Sequence, residues 1–300
     1  MINTITLNPS LDYVVKVKDF KVGAMNRCDA EQIYVGGKGI NVSLILQRLG
    51  IKNKAFGFVA GFTGGEIIRL LDEVGVAHEF IPLQAGMSRI NMKLKSGEET
   101  EINGMGPHLT QEDLSELDEK LEAMKEGDFL VLAGSIPTTL PNDIYEQMVK
   151  KFSNRGVACV VDATKELLLN VLPYGPFLIK PNHHELGELF GVQLETHEAV
   201  IPYAKKLQEK GARNVLVSMA GEGAVLITEE GEVFRHGGIE GEIKNTVGAG
   251  DSMVAGFLAG YMEKGDFEYA LKMGMAAGSA TAFEEDLATG EQIRKLLETI

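Results

Sequence analysis

The sequence predicts an α/β chain, with a doubly wound, mostly parallel sheet sandwiched between helices and a small antiparallel sheet attached to it. Three observations lead there. Short apolar runs recur along the chain with helical patterns between them. Those runs do not alternate, which suits parallel strands buried on both faces. Two other regions do alternate polar and apolar residues, which suits strands with one wet face.

In chain order, Ile2 to Leu7 reads as a strand and Ile40 to Leu49 as a helix. Ala55 to Val59 is the next strand, and Glu66 to Val74 a helix closed by Gly75. A helix opened by Thr110 precedes three buried-strand runs, Phe129 to Ala133, Val157 to Val161 and Phe177 to Ile179. Val215 to Ser218 adds another strand, and the last 50 residues are mostly helical. The alternating regions are Tyr13 to Val17 with Gln32 to Val35, and Ile90 to Leu94 with Glu101 to Asn103. The second pair flanks a Ser96-Gly97 turn. Together they outline a small sheet from segments of about 12–35 and 88–104. Three readings stay open for it: a lid over a site, a subunit interface, or an ordinary edge hairpin.

The 300 residues are 44% hydrophobic, enough for one domain spanning 1–300. No apolar run approaches the roughly 20 residues of a membrane span. Met1 to Asn8 lacks the basic and apolar stretches of a secretory signal. Cys28 and Cys159 are too few for a disulfide framework or a structural zinc site. These features lead us to expect a cytoplasmic protein with no membrane contact. A net charge of −14 argues against nucleic-acid binding. It also means that an anionic substrate needs a few well-placed cations.

The strongest chemical signal is Asn245 to Ser252 followed by an apolar helix. Gly248, Ala249 and Gly250 before a helix let backbone N–H groups converge on an anion. Asp251 in the same place is out of keeping with anion binding alone. It either caps the helix or takes a proton from a hydroxyl during phosphoryl transfer. No P-loop is present, and the glycine run lacks the third glycine of a dinucleotide fingerprint, since Met253 stands there.

A second glycine run, Gly36, Gly37, Lys38 and Gly39 followed by Asn41, also precedes a helix. It reads as a strand-to-helix turn or as a grip for sugar hydroxyls and phosphate. Asp12 follows Asn8 and Pro9 beyond the first strand. It reads as part of a turn or as an acceptor for sugar hydroxyls. Lys180 to Glu185 follows a strand, with Asn182 either capping the next helix or joining Glu185 in a Mg²⁺ shell. Asp162 ends a strand and is a further candidate for water-mediated contact with Mg²⁺.

In chain order these pieces resemble the ribokinase-like sugar kinase family over nearly the whole chain. Gly36 to Asn41 and Asn245 to Ser252 carry the resemblance. Thr6 to Asp12 is similar to the opening of its hexose-phosphate kinases. Ser88-Arg89-Ile90-Asn91-Met92-Lys93-Leu94 is most similar to the 1-phosphofructokinase branch, and tagatose-6-phosphate kinases share mainly the arginine.

The resemblance implies a ribokinase-like sandwich with a β-lid, ATP, and Mg²⁺. It implies transfer from ATP to O6 of fructose 1-phosphate, or alternatively to O1 of tagatose 6-phosphate. Asp251 would be the base, with Gly248, Ala249 and Gly250 holding the migrating group. Asp12, Gly37, Lys38 and Asn41 would position the sugar. Lys38 and Arg89 would meet its phosphate, with Arg27 helping from the same or a second subunit. Lys180, Asn182, Ser218, Ala220, Gly221 and Gly223 would line the nucleotide site, near Gly278 and Ala282. Glu185 and Asp162 would serve Mg²⁺. A homodimer through the lid is expected. A non-catalytic nucleotide- or sugar-phosphate-binding regulator is the alternative from another class.

Overall fold

The computed structural model describes residues 1–300, the side chain of Glu98 excepted. The chain opens with β1 (Ile2–Thr6), β2 (Ser10–Lys16), β3 (Ala30–Gly36) and α1 (Lys38–Arg48). Then follow β4 (Asn53–Ala60), α2 (Gly61–Glu73), β5 (His78–Leu83), β6 (Arg89–Ser96) and β7 (Glu98–Asn103). The middle holds α3 (Gln111–Leu121), β8 (Phe129–Ala133), α4 (Ile144–Ser153), β9 (Ala158–Asp162) and α5 (Lys165–Val171). Next come β10 (Leu178–Ile179), α6 (His183–Phe190), α7 (His197–Glu209), β11 (Asn214–Ser218), β12 (Ala224–Ile227) and β13 (Val233–His236). The chain ends in α8 (Ala249–Lys264), α9 (Phe267–Ala282) and α10 (Gly290–Leu297).

Nine strands form the main sheet in the order β13-β12-β11-β10-β9-β8-β1-β4-β5. All neighbours from β11 to β5 run parallel, and β12 and β13 close one edge antiparallel. Alternate residues feed two cores, as strands buried on both faces require. Leu130, Leu132, Val161 and Val215 pack with Leu117, Val149 and Leu207 from α3, α4 and α7. Phe129, Val131, Val160 and Leu216 face Ile45, Val254 and Ala276 from α1, α8 and α9.

The expected helices are present with shifted ends. Thr110 caps α3 in a reciprocal bond with Asp113. The helix expected from Glu66 begins at Gly61, because its first turn is rich in glycine and carries little apolar periodicity. Strands β5, β12 and β13 lay outside the sequence reading. Strands β5 and β13 lie at the sheet edges, where continuous apolar runs are not required, and β12 is an apolar run of only four residues.

The small sheet runs β3-β2-β6-β7. Its outer pairings are antiparallel as expected, but its central pairing, β2 with β6, is parallel. Topology explains this. Both β2 and β6 leave the carboxyl end of a main-sheet strand, so both run outward, and β3 and β7 are their returns.

The chain visits β4 and β5 on one side of β1, then crosses to β8 on the other. The carboxyl ends of β1 and β8 therefore flank a topological switch point, where open α/β sheets bind ligands.

Candidate active site

Asp251 lies in the first turn of α8 and is 5% exposed. Gly248 takes the position before the helix with φ 78°, a left-handed conformation that favours glycine. Asp251 makes no capping bond. Its Oδ2 instead accepts a 2.8 Å bond from Asn41 Nδ2 on α1. The cap alternative is thus removed, and the two glycine runs meet at this bond.

The N–H groups of Gly248, Gly250 and Asp251 have no protein acceptor among the described residues. The Ala249 N–H donates to the Thr246 carbonyl, so Gly248 and Gly250 are free as expected and Asp251 takes the place of Ala249. The first N–H groups of any helix lack intrahelical acceptors, and here glycines leave them open to an approaching anion.

Behind Asp251 lies a second buried carboxylate, Asp162, at the end of β9. Lys38 Nζ is 3.3 Å from its Oδ2 and Lys180 Nζ is 3.4 Å from its Oδ1. Burial alone would raise the Asp162 pKa, but Lys180 and Lys38 override it and hold this carboxyl below its ordinary value. Asp251 lacks such a cation in contact. Burial, reinforced by the negative charge of Asp162, pushes its pKa up to about 6, with Lys38, Asn41 and Lys180 pulling the other way. Burial also works against the Lys38 ammonium, but Asp162 and Asp251 overcome it and raise its pKa.

Lys38 and Arg89 line one cavity of about 310 Å³ with Thr6, Asn8, Ser135 and Asp162, at the switch point. Arg89 Nε donates to the Asn8 carbonyl at 3.0 Å. Burial pushes the Arg89 guanidinium below its ordinary pKa, while Asp12 acts against that. A partly desolvated cation of this kind suits a bound anion.

Asp12 sits on β2, facing a neighbouring cleft shared with Asn41, Lys93 and Val247. Its Oδ1 accepts from Ser10 Oγ at 2.7 Å and Asn91 Nδ2 at 3.0 Å, and its Oδ2 is 3.2 Å from Lys93 Nζ. A Cβ on Gly36 would collide with both Asp12 Oδ1 and Ser10 Oγ. Gly36 is therefore small to admit the Asp12 carboxylate. Lys16 of β2 reaches Glu285 at 3.3 Å, tying the small sheet to the turn beside Asn245.

Asn182 and Glu185 form a reciprocal cap on α6, each bond 2.8 Å. Glu185 Oε2 is used there, and Oε1 has no partner among the described residues. Both Asp162 oxygens have a lysine in contact, so Asp162 serves as their counter-ion. Among the described residues no group of three or more His, Cys, Asp or Glu is arranged to hold a metal.

Lys180 Nζ reaches the start of α8, 3.3 Å from where a Cβ on Gly250 would lie. Asn182 bridges to Ser218, which places the turn through Ala220, Gly221 and Gly223 beside Lys180. Ala220 has φ 49°, unusual for a residue with a side chain. Gly278 lets α9 approach α8, where a Cβ would lie 3.1 Å from the Ala249 carbonyl. The Ala282 carbonyl accepts from Lys244 and Asn245 N–H, anchoring the loop before Gly248. Arg27 is exposed in the connection beyond the Lys16–Ala30 pair. Lys16 is four positions from Asp12, about 13 Å of strand, and Arg27 lines neither of the two clefts.

Asn91 and Lys93 escaped the sequence reading as site residues. They alternate with Ile90, Met92 and Leu94, and that polar face was the available signal.

The family model described as pfkB family carbohydrate kinase matches residues 6–294. The chain belongs to this family. Over 300 residues it is 49% identical to the 1-phosphofructokinase of Bacillus subtilis (strain 168), covering 100% of this chain and 98% of the relative. It is 34% identical to the D-tagatose-1-phosphate kinase of Bacillus licheniformis, covering 96% of this chain and 94% of the relative. The solved structure of phosphofructokinase-2 from Escherichia coli in complex with substrates and products superposes with TM-score 0.93 at 28% identity, covering 99% of this chain and 98% of that one. The ribokinase-like fold implied by the resemblance is thus present in this pfkB-family chain.

One consequence can be measured directly. Asp162→Asn would leave Lys180, whose side chain is 6% exposed, without its counter-ion. Breaking a buried pair from one side costs about 3–5 kcal/mol. Chemical denaturation at neutral pH should show a loss of that size, and a change below about 0.5 kcal/mol would contradict the pairing.

Proposed function

We propose that the chain transfers the γ-phosphoryl group of ATP to O6 of fructose 1-phosphate, giving fructose 1,6-bisphosphate. The observation that carries the chemistry is Asp251: a buried, uncapped carboxylate beside unpaired N–H donors. The 49% identity to a 1-phosphofructokinase supports the acceptor.

In this reading Asp251 accepts the O6 proton as the O–P bond forms. A pKa of about 6 leaves it mostly ionised at neutral pH yet more basic than an ordinary carboxylate. The N–H groups of Gly248, Gly250 and Asp251 stabilise the charge on the migrating phosphoryl oxygens. Lys38 and Arg89 hold the 1-phosphate in their shared cavity. Asp12 and Asn41 orient the sugar, with Gly37 in the same turn. Lys180 and Asn182 meet the nucleotide phosphates beside the Ser218 to Gly223 turn. Gly278 and Ala282 support that site through packing and loop anchoring, and Arg27 is left without a role within one chain.

Mg²⁺ fits as an ion carried by the nucleotide. It takes one or two carboxylates together with phosphate oxygens and water, and Glu185 offers one unpartnered oxygen. When bound, it neutralises charge on the ATP phosphates.

The small sheet would act as a lid, its polar face closing on the cleft and excluding water. Its other face carries Ile33, Tyr13, Met92 and Ile102 in one register across four strands. Ile33 is 51% and Ile102 62% exposed, an apolar row that a second copy would cover. Both cysteines are free thiols, in keeping with a reducing cytoplasmic setting.

The D-tagatose-1-phosphate kinase relative favours one competing acceptor. An ADP-release assay across fructose 1-phosphate, fructose 6-phosphate, tagatose 1-phosphate and tagatose 6-phosphate decides. The highest kcat/KM is expected with fructose 1-phosphate. A preference for either tagatose phosphate would reassign the acceptor, and ATP turnover with none of them would remove the reading. Sedimentation velocity at assay concentration should give twice the chain mass of 32.5 kDa. A monomer would exclude the lid interface.

A further inference from the structure

Lys93 is 8% exposed on β6, an uncommon place for a lysine. Its Nζ lies 3.2 Å from Asp12 Oδ2 and 3.7 Å from Glu101 Oε1, and it lines the cleft that holds Asp12 and Asn41. The proposed phosphate cations, Lys38 and Arg89, line the other cavity. Lys93 is therefore placed with the groups that would read sugar hydroxyls, not with those that would read its phosphate.

The surroundings of Asp12 are built to match. Its Oδ1 accepts from Ser10 Oγ and Asn91 Nδ2, and Ser10 Oγ in turn accepts from Asn91 Nδ2 at 3.1 Å. A carboxylate only accepts, so these contacts fix which end of the Asn91 amide faces it. Asn91 Oδ1 is left buried without a partner among the described residues. Gly36 removes the one side chain that would displace the cluster. Three donors thus orient one carboxylate, and Lys93 alone among them carries charge.

We infer that Lys93 is a positioning residue for acceptor recognition: it holds the Asp12 carboxylate in the orientation that accepts hydrogen bonds from the sugar hydroxyls. Without the Lys93 ammonium on its Oδ2, the part-buried Asp12 carboxylate is free to turn toward water, and it then accepts fewer hydroxyl bonds. The inference rests on the proposed phosphorylation of a sugar phosphate, and it extends that reading to a residue acting through another.

The experiment is steady-state kinetics of Lys93→Met, Asp12→Asn and the double variant, each with a thermal melt. Lys93→Met should raise KM for fructose 1-phosphate about 10–100-fold, the usual effect of losing a bond to a charged group. KM for ATP should stay at its wild-type value, and kcat should change less than the sugar-phosphate KM. In the Asp12→Asn background, Lys93→Met should add less than about threefold, because its target is already altered. Equal rises in both KM values would overturn the inference, as would fully multiplicative effects in the double variant. If Lys93→Met melts below assay temperature, Lys93→Gln is carried through the same comparison, and the same ratios decide. Wild-type turnover is measured first. If fructose 1-phosphate is not accepted, the acceptor assignment has failed, and the same ratios with the sugar phosphate that is accepted still test Lys93.

Discussion

Two carboxylates, Asp251 and Asp162, are buried near one another at the carboxyl end of the main sheet, and only one of them is paid in full. Asp162 holds two lysines in contact, at 3.3 and 3.4 Å. Asp251 has an amide in contact and lysines only at longer range. The difference separates their protonation behaviour, the first held ionised and the second raised to about 6. Much of the site follows from keeping that asymmetry in place. Strand β9 delivers Asp162, the residue after β10 delivers Lys180, α1 delivers Lys38 and Asn41, and α8 delivers Asp251. The sheet order brings these four sources to one end because parallel strands all finish there.

The same asymmetry separates an unpaired carboxylate from one locked in ion pairs. A carboxylate locked to two ammonium groups is a poor base. One that burial has made more basic, facing unpaired N–H donors, is suited to a step that moves a proton and gathers phosphoryl charge together. The small sheet contributes a third carboxylate, Asp12, held by Ser10, Asn91 and Lys93. Each carboxylate thus has a different set of partners.

Much of this was legible in the sequence, for identifiable reasons. The buried parallel strands announced themselves because both faces are apolar, so Phe129–Ala133 could hardly be anything else. The edge strands did not: β5 contains Pro82, and β13 is only partly buried. The parallel β2–β6 pairing was hidden because alternation reports a wet face, not a direction. At the site, Asp251 was visible but ambiguous. Its carboxylate is held by Asn41, 210 residues away in sequence, rather than by a capping N–H, and no local pattern contains that bond. Gly36 was visible as part of a run, but its reason, the Asp12 carboxylate, lies in a different motif. Lys93 went unassigned because a lysine on an alternating strand reads as solvated. Arg27 was placed by its charge and its position on the lid segment, with a second subunit as one source, and the fold leaves it at the outer end of the small sheet.

The most direct test of the account is Asp251→Asn, measured for turnover and for stability. Loss of the base should lower kcat about 10²–10⁴-fold. Stability should move the other way. The folded protein keeps the Asp251 proton up to about pH 6, so the wild type loses stability as pH rises from the ordinary value of 3.8 towards about 6, and the loss is complete above that. The asparagine variant has no such loss, and its advantage in melting temperature should grow between pH 5 and pH 8. Turnover within a few-fold of wild type, or a variant that is less stable at pH 8 than at pH 5 relative to wild type, would contradict the assignment of Asp251 as a buried, uncompensated base.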